Sequence, residues 1–173
     1  MRKEILFLAI CFCLTTICFG QKHKDFILTL HKDTLFGKVK MSVSNPHISF
    51  TRQRKRVYFH PKTLQAFGLY DKVKKTYKIY KAITNRRGKS MFVEVINEGK
   101  VKLYKYKNQE GVTKIHQEYY YIGYSDQQLF TIRPNTYEKT VKVFVSDYPN
   151  LVAKVAQSSY QEVPQIIASY NRQ

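Results

Sequence analysis

Apolar and polar residues alternate along most of the chain, from about residue 25 to residue 133. Alternation with a period of two, in β-branched and aromatic residues, is typical of strands that bury one face. Short clusters rich in Asn, Asp, Gly and Lys separate these runs and favour turns. The pattern predicts about nine strands: 25–31, 35–41, 47–50, 57–60, 76–84, 90–96, 100–107, 115–124 and 128–133. Residues 61–68 are predicted to form a single helical turn followed by another extended piece.

The period of the pattern changes in the last forty residues of the chain. Apolar residues recur there at helical spacing and predict three short amphipathic helices. Asn135 with Glu138, and Ser159 with Glu162, have the spacing of a capping box. Pro149 favours the start of the middle helix, because its ring suits the first helical position.

The strand-rich part and the helical part are predicted to form one domain. Helices this short are marginal alone, and their apolar stripes need a surface to cover. No Gly/Ser-rich linker, internal repeat or low-complexity tract separates the two parts. We therefore predict a single α+β domain over residues 21–173. An antiparallel β meander (residues 21–133), as a sheet or an open barrel, would be covered by a helical tail (residues 134–173).

The beginning of the chain has the features of a secretory signal peptide. Two basic residues precede an apolar run that extends from residue 5 to residue 17. Cys18 and Gly20 then place small side chains at the −3 and −1 positions of a cleavage site. This predicts removal of residues 1–20, a mature chain that begins at Gln21, and export to the periplasm or the extracellular space.

A membrane anchor and a lipid-modified cysteine are the other interpretations of this segment. The apolar run is shorter than the roughly 20 residues that span a bilayer. Acylation favours a small residue before the cysteine, whereas Ile10, Phe12 and Ile17 precede the three cysteines of the chain. With residues 1–20 removed, the mature chain would contain no disulfide, thiolate metal site, cysteine nucleophile or transmembrane segment.

The positive charge of the chain is concentrated in one segment. The whole sequence has a formal net charge of +18. Residues 52–89 carry thirteen Lys and Arg against a single acidic residue, Asp71. Residues 108–173 balance six basic residues with six acidic ones. The middle of the chain would therefore attract anions at long range.

The densest basic cluster lies in the stretch TRQRKRVYFH, residues 51–60. It consists of Arg52, Arg54, Lys55 and Arg56. Because strand-like runs flank it, we predict a hairpin with this cluster at its exposed tip. A second basic pair, Arg86 and Arg87, lies in the turn predicted after strand 76–84. If the two turns are neighbours, the six cationic groups would form one anion-binding edge.

Export limits the partners that such an edge could meet. Lipopolysaccharide, acidic polysaccharides and neighbouring envelope proteins are available there, and export argues against nucleic acid. Alternatively, the basic residues only keep the sheet soluble and protect its edges. The tyrosines that interleave with lysines in the strands leave two similar interpretations open. They form either a platform for sugars and headgroups or amphipathic side chains suited to a half-wetted sheet.

The sequence contains no local catalytic or metal-binding motif. Its five histidines, His23, His31, His47, His60 and His116, lack metal-ligand spacing, although one hairpin could bring His47 and His60 together. A nucleophile elbow, a P-loop and a dinucleotide-type glycine pattern are also absent. We therefore predict a non-catalytic envelope protein without a metal or cofactor. The alternative is a hydrolase of envelope or host glycans, whose carboxylates only folding would bring together.

Four segments in this order resemble a group of small uncharacterised secreted proteins of Bacteroidetes-type bacteria. They are ILTLHKDTLFGKVK (27–40), VYFHPKTLQAFG (57–68), FVEVINEGKVKLYKYK (92–107) and FVSDYPNLVAKVAQSSYQEVPQIIASYN (144–171). The resemblance implies an exported β-rich domain with a helical tail, and it implies no catalytic residue. Members of the group often carry a cysteine before the proline of the tail. This chain has Tyr148 there, so no cysteine-dependent role is implied.

Overall fold

The structure is a computed structural model that describes residues 24–41, 47–85, 88–110 and 115–173. The side chains of residues 108–110 and 115–117 are not described. The predicted signal segment (1–20) and the cleavage point before Gln21 lie outside the described residues. Arg86 and Arg87 also lie outside them.

Within these ranges the chain forms eleven strands. They are β1 (Phe26–Thr29), β2 (Thr34–Phe36), β3 (Lys38–Met41), β4 (Ile48–Arg52), β5 (Lys55–Phe59), β6 (Leu64–Asp71), β7 (Thr76–Thr84), β8 (Ser90–Asn97), β9 (Lys102–Glu110), β10 (Ile115–Gly123) and β11 (Phe130–Ile132). Eight strands form a long sheet in the order β11-β10-β9-β8-β7-β6-β1-β2. The other three form a small sheet in the order β3-β4-β5. All pairings are antiparallel.

Three helices follow the strands: α1 (Tyr137–Phe144), α2 (Pro149–Gln157) and α3 (Val163–Tyr170). A short 3₁₀ turn, Tyr160–Glu162, precedes α3. The predicted α+β class, with strands followed by three short helices, is confirmed. None of the helices in the described ranges has both the length and the apolar character needed to cross a membrane.

The helices and the small sheet cover the same face of the long sheet. A row of paired residues defines this face from β1 to β11: Ile27, Phe67, Tyr80, Glu94, Lys105, Tyr120 and Ile132. Tyr120 and Ile132 are buried in the core with the helices, whereas Ile27 and Phe67 are buried with the small sheet. The helices therefore cover one end of the face and the small sheet covers the other.

The helices bind the sheet through the apolar stripes predicted for them. Val141, Val155, Ile166 and Ile167 are fully buried in the core that includes Leu103 of the long sheet. Burying a side chain of this size stabilises the fold by roughly 1.5–3 kcal/mol, so the helical tail is part of the fold.

The loop between β10 and β11 covers part of the opposite face of the long sheet. Its Leu129 packs with Val93 and Tyr104 in a separate buried cluster. The loop residue Asp126 accepts hydrogen bonds from the Lys102 ammonium, at 2.8 Å, and from the Tyr104 hydroxyl. Burial opposes ionisation of Asp126, but these two bonds and nearby lysines outweigh it and lower the pKa of the carboxyl.

One predicted strand, 35–41, is divided between the two sheets. Residues before Gly37 pair with β1, and residues after it pair with β4. A Cβ atom on Gly37 would lie 2.6 Å from ring carbons of Phe50 and 2.7 Å from the carbonyl oxygen of Thr51. The chain therefore crosses from one sheet to the other where only glycine fits. Alternation continues through this point, so the pattern does not reveal the division.

The helical turn predicted over residues 61–68 is wrong for most of that segment. Residues 61–63 form a turn, and Leu64 begins strand β6, which lies between β1 and β7. Residues 66, 67 and 68 are all buried, so the strand lacks the alternation of a half-exposed one. Gly68 gives room to the ring of Phe26, which would lie 2.2 Å from a Cβ atom there.

The two predicted capping boxes have different outcomes. The residue before α1 is Thr136, and it makes no side-chain cap, so the Asn135–Glu138 box is not formed. The Ser159–Glu162 box is present, but it begins the 3₁₀ turn ahead of α3. Pro149 begins α2 as predicted.

The burial of α3 predicts a large effect of a charge placed in it. Replacing Ile166 with Asp should lower the free energy of unfolding by several kcal/mol, roughly 3–5, because the carboxylate would enter a packed apolar core. Gln165→Asp, on the exposed side of the same helix, is the control and should change it by less than about 0.5 kcal/mol. Urea unfolding measures both values. Equal stability of the two variants would contradict this packing.

The position of Asp126 predicts an acid-dependent stability difference. Because folding lowers its pKa, the stabilisation is complete above the unfolded value of about 4 and is lost as the pH falls through the folded value. Because 40% of the Asp126 side chain is exposed and solvent screens its charge, Asp126→Asn should cost only about 0.5–1 kcal/mol at pH 7 and progressively less below pH 4. Thermal unfolding across pH measures this difference. A penalty for Asp126→Asn that stays constant across pH would contradict the assignment.

Candidate anion-binding site

The predicted basic hairpin is present, with strands longer than the sequence suggested. Arg52 of β4 pairs with Lys55 of β5, so only Gln53 and Arg54 form the turn. Both turn residues have positive φ, 50° and 65°, as in a type I′ turn. Arg52, Lys55 and Arg56 therefore belong to strands, and Arg54 alone of the four lies in the turn itself.

The turn residues are unusual for this conformation. Type I′ turns favour Asn and Gly, since other side chains crowd the backbone at positive φ. The conformation costs about 1–2 kcal/mol for a residue such as Arg54. The chain thus keeps a cationic side chain at the tip where glycine would relieve strain.

The outer side of the small sheet continues the positive surface. Lys38, Lys40, Arg56 and Tyr58 share this side, according to the register of the three strands. The three cationic residues are exposed, and Tyr58 keeps 65% of its surface exposed. We call these four residues the outer basic face.

A groove of about 730 Å³ lies where the two sheets meet. Four cationic residues line it: Lys24, Lys38, Arg52 and Lys72. The aromatic residues Phe36 and Tyr70 and the carboxylate of Asp25 also belong to its lining. We call this feature the junction groove. It brings residues of β2, β3, β4 and β6 together with the segment that precedes β1.

Asp25 holds the junction groove together. One of its carboxylate oxygens accepts the N–H of Val39 in β3, and the other accepts the N–H of Tyr70 in β6, each at 3.0 Å. The backbone carbonyl of Asp25 accepts the N–H of Gly37 at 2.9 Å. A single residue therefore connects the long sheet, the small sheet and the crossing between them.

The cations around this site lack acidic partners. Within the described residues, every ion pair involves a cation at position 81 or later. Residues 24–78 contain thirteen Lys and Arg against Asp25, Asp33 and Asp71. Asp71 accepts the N–H groups of Lys74 and Val73, which lower its pKa. The described half that contains the groove therefore carries positive charge that no neighbouring carboxylate pairs with.

Arg86 and Arg87, the other predicted anion-binding residues, lie outside the described residues, so no contact is assigned to them. The strand ends that flank them can be located. Ala66 pairs with Lys81 and Asp71 pairs with Thr76, so β7 ends beside the beginning of β6. The junction groove lies near the other end of β6, about 23 Å away along the strand.

The small sheet brings two histidines together, as the hairpin pattern allowed. The rings of His47 and His60 are 5.1 Å apart, centre to centre. Nδ1 of His60 accepts the N–H of Lys62 at 3.2 Å, so this ring also supports the turn that leads to β6. The described residues contain no group of three or more metal-ligating side chains. We therefore assign no metal to the pair.

Sequence reasoning identified only Arg52 among the charged residues of the junction groove. It missed Lys24, Lys38, Lys72 and Asp25, which lie far apart along the chain and belong to no local motif. The one available signal was the excess of cations over the whole segment. It did not indicate which of them face a common space.

Comparison with known proteins does not assign the chain to a family. No protein-family model matches the chain, and neither a curated protein nor a solved structure gives a significant match. The resemblance to small secreted proteins of Bacteroidetes-type bacteria therefore stays a prediction from the sequence.

The strained turn predicts opposite effects of two similar substitutions. Arg54→Gly should raise the free energy of unfolding by about 0.5–1 kcal/mol, because relief of strain exceeds the entropic cost of glycine. Arg56→Gly, two positions along in β5, should lower it by about as much, because glycine weakens a strand. Urea unfolding of both variants measures these signs. Destabilisation by both would show that Arg54 is not strained.

Proposed function

We propose that the protein is an exported, non-catalytic envelope protein that binds a polyanionic surface through the basic end of its small sheet. The contact region consists of the β4–β5 hairpin end (residues 52–56), the outer basic face and the junction groove. The observation that carries this proposal is the excess of Lys and Arg in residues 24–78, none of which forms an ion pair within the described residues. Lipopolysaccharide phosphates and acidic polysaccharides are the polyanions that fit an exported protein. An acidic envelope protein would use the same contacts.

Edge protection alone does not account for the positions of these cations. Lysine and arginine on an exposed edge strand such as β5 discourage pairing with other chains. Lys24 and Lys72, however, lie next to β1 and β6, and both strands have neighbours on each side. They line the junction groove and do not belong to an edge strand.

The hairpin turn presents a cationic side chain to solvent. Arg54 is exposed and makes no ion pair within the described residues. Its guanidinium is therefore available to an anion outside the protein.

The alternative hydrolase has less support in the described residues. Glycoside hydrolysis commonly needs two carboxyl groups facing one cleft. Among the described residues that line the junction groove, only Asp25 is acidic, and both of its oxygens accept backbone N–H groups. Glu118 and Asp126 form ion pairs with lysines of the long sheet. We therefore favour binding over catalysis.

Retention on a heparin column as a function of salt tests the proposal. The variant Arg52→Ser, Arg54→Ser, Lys55→Ser, Arg56→Ser should elute at clearly lower salt than the parent. Its melting temperature should change by only a few degrees, because the four side chains are exposed. Binding by the parent should itself weaken towards physiological salt, where charges are screened over about 8 Å.

A matched control separates a binding site from net charge. Lys89, Lys139, Lys154 and Arg172 are exposed and lie outside the contact region. Replacing these four with Ser removes the same formal charge and should leave elution close to that of the parent. If both fourfold variants elute together, retention follows overall charge and the proposed contact region is wrong.

A further inference from the structure

We infer that the junction groove binds an acidic sugar unit, with the sugar ring against its aromatic side and the anionic group against its cations. This inference rests on the proposed function and assigns a ligand class to one part of the contact region. Its basis is the mixed lining of the groove, since a surface that attracts anions by charge alone needs neither an aromatic wall nor a carboxylate.

The aromatic side of the groove is a supported row of rings. Phe36 lies on edge strand β2 and keeps 54% of its surface exposed. Its ring contacts that of Phe26 edge-on at 6.2 Å, and Phe26 contacts Tyr77 at 5.4 Å. Tyr77 in turn contacts Tyr70 at 5.2 Å. The exposed ring at the groove is therefore held by neighbours and offers a flat apolar surface for the C–H face of a sugar.

Gly68 is part of the reason why this row exists. It lies opposite Phe26 in the pairing of β1 with β6, and its missing side chain leaves the space that the Phe26 ring fills. The Phe26 ring in turn packs edge-on against the Phe36 ring. The aromatic wall thus depends on the packing of the long sheet and does not need a ligand to form.

The cationic side of the groove can hold a planar or tetrahedral anion. Arg52 presents a rigid fork of donors, which suits carboxylate, sulfate and phosphate oxygens. Lys24, Lys38 and Lys72 supply further positive charge from other elements. None of these four cations forms an ion pair within the described residues, so they need not give up a protein partner on binding.

Asp25 would favour binding of a sugar over binding of a simple anion. A negative charge among the lining residues opposes a bare polyanion. An ionised carboxylate, however, has about four acceptor positions, and the two backbone N–H groups use two of them. The remaining positions can accept hydroxyl donors, which sugars have and inorganic phosphate chains lack. The volume of about 730 Å³ lies within the usual range of small-ligand sites.

Three acidic saccharides and one inorganic polymer test this inference by calorimetry at low salt. The probes are a short heparin oligosaccharide, an oligogalacturonate, a phosphorylated lipopolysaccharide oligosaccharide and inorganic polyphosphate of matched charge. We expect the protein to bind at least one saccharide more tightly than polyphosphate. The preferred saccharide identifies the anionic group as sulfate, carboxylate or phosphate.

Phe36→Ala should weaken binding of that saccharide by roughly three- to tenfold, the range of one aromatic contact, and leave polyphosphate binding unchanged. Phe130→Ala is the matched control, because Phe130 lies on the edge strand at the opposite side of the same sheet and is 42% exposed. It should leave saccharide binding unchanged. Thermal unfolding of both variants confirms that they fold.

The outcomes for this inference and for the proposed function can be told apart. If polyphosphate binds as tightly as every saccharide, or Phe36→Ala has no effect, the groove does not recognise a sugar and the inference is wrong. The proposed function still stands in that case if the fourfold Ser variant at residues 52, 54, 55 and 56 elutes from heparin at lower salt than the parent. If none of the four probes binds at low salt, both are wrong.

Discussion

The carboxylate of Asp25 and the close approach at Gly37 hold the two sheets in their relative position. Asp25 accepts N–H groups from β3 and β6, which belong to different sheets. Gly37 lets the chain pass against the ring of Phe50 as it crosses between them. The apolar core behind this crossing, which includes the fully buried Ile27 and Phe67, depends on the same geometry. The junction groove is the solvent side of that arrangement.

The described residues divide their charges unequally over this framework. Lysines of strands β7 to β9 in the long sheet pair with Glu98, Glu118 and Asp126. Near the small sheet the cations repel one another without such partners. Because these side chains are exposed, solvent and salt screen the repulsion, and the apolar core beneath can tolerate it. A surface of this kind costs some stability, which is consistent with the proposed binding of an anion outside the protein.

Much of the fold could be predicted from the sequence, and the exceptions have physical causes. Strand 76–84 was visible because turn-forming clusters bound a run of β-branched and aromatic residues. The stripes of the three helices were visible because each helix buries one side only. Strand β6 was missed because it is buried on both sides and shows no alternation. The division of 35–41 was missed because alternation is a property of one strand and does not indicate its partner.

The candidate site also depends on contacts between distant strands, which residue patterns do not reveal. The sequence alone determined that Arg52, Arg54, Lys55 and Arg56 lie together on a hairpin, since neighbours in a short turn stay close in any fold. Only the tertiary structure decided that Arg52 shares a groove with Lys72, and that Phe36 forms part of its wall. Such contacts depend on the order and crossing of strands, which long-range packing selects and local residue patterns do not encode.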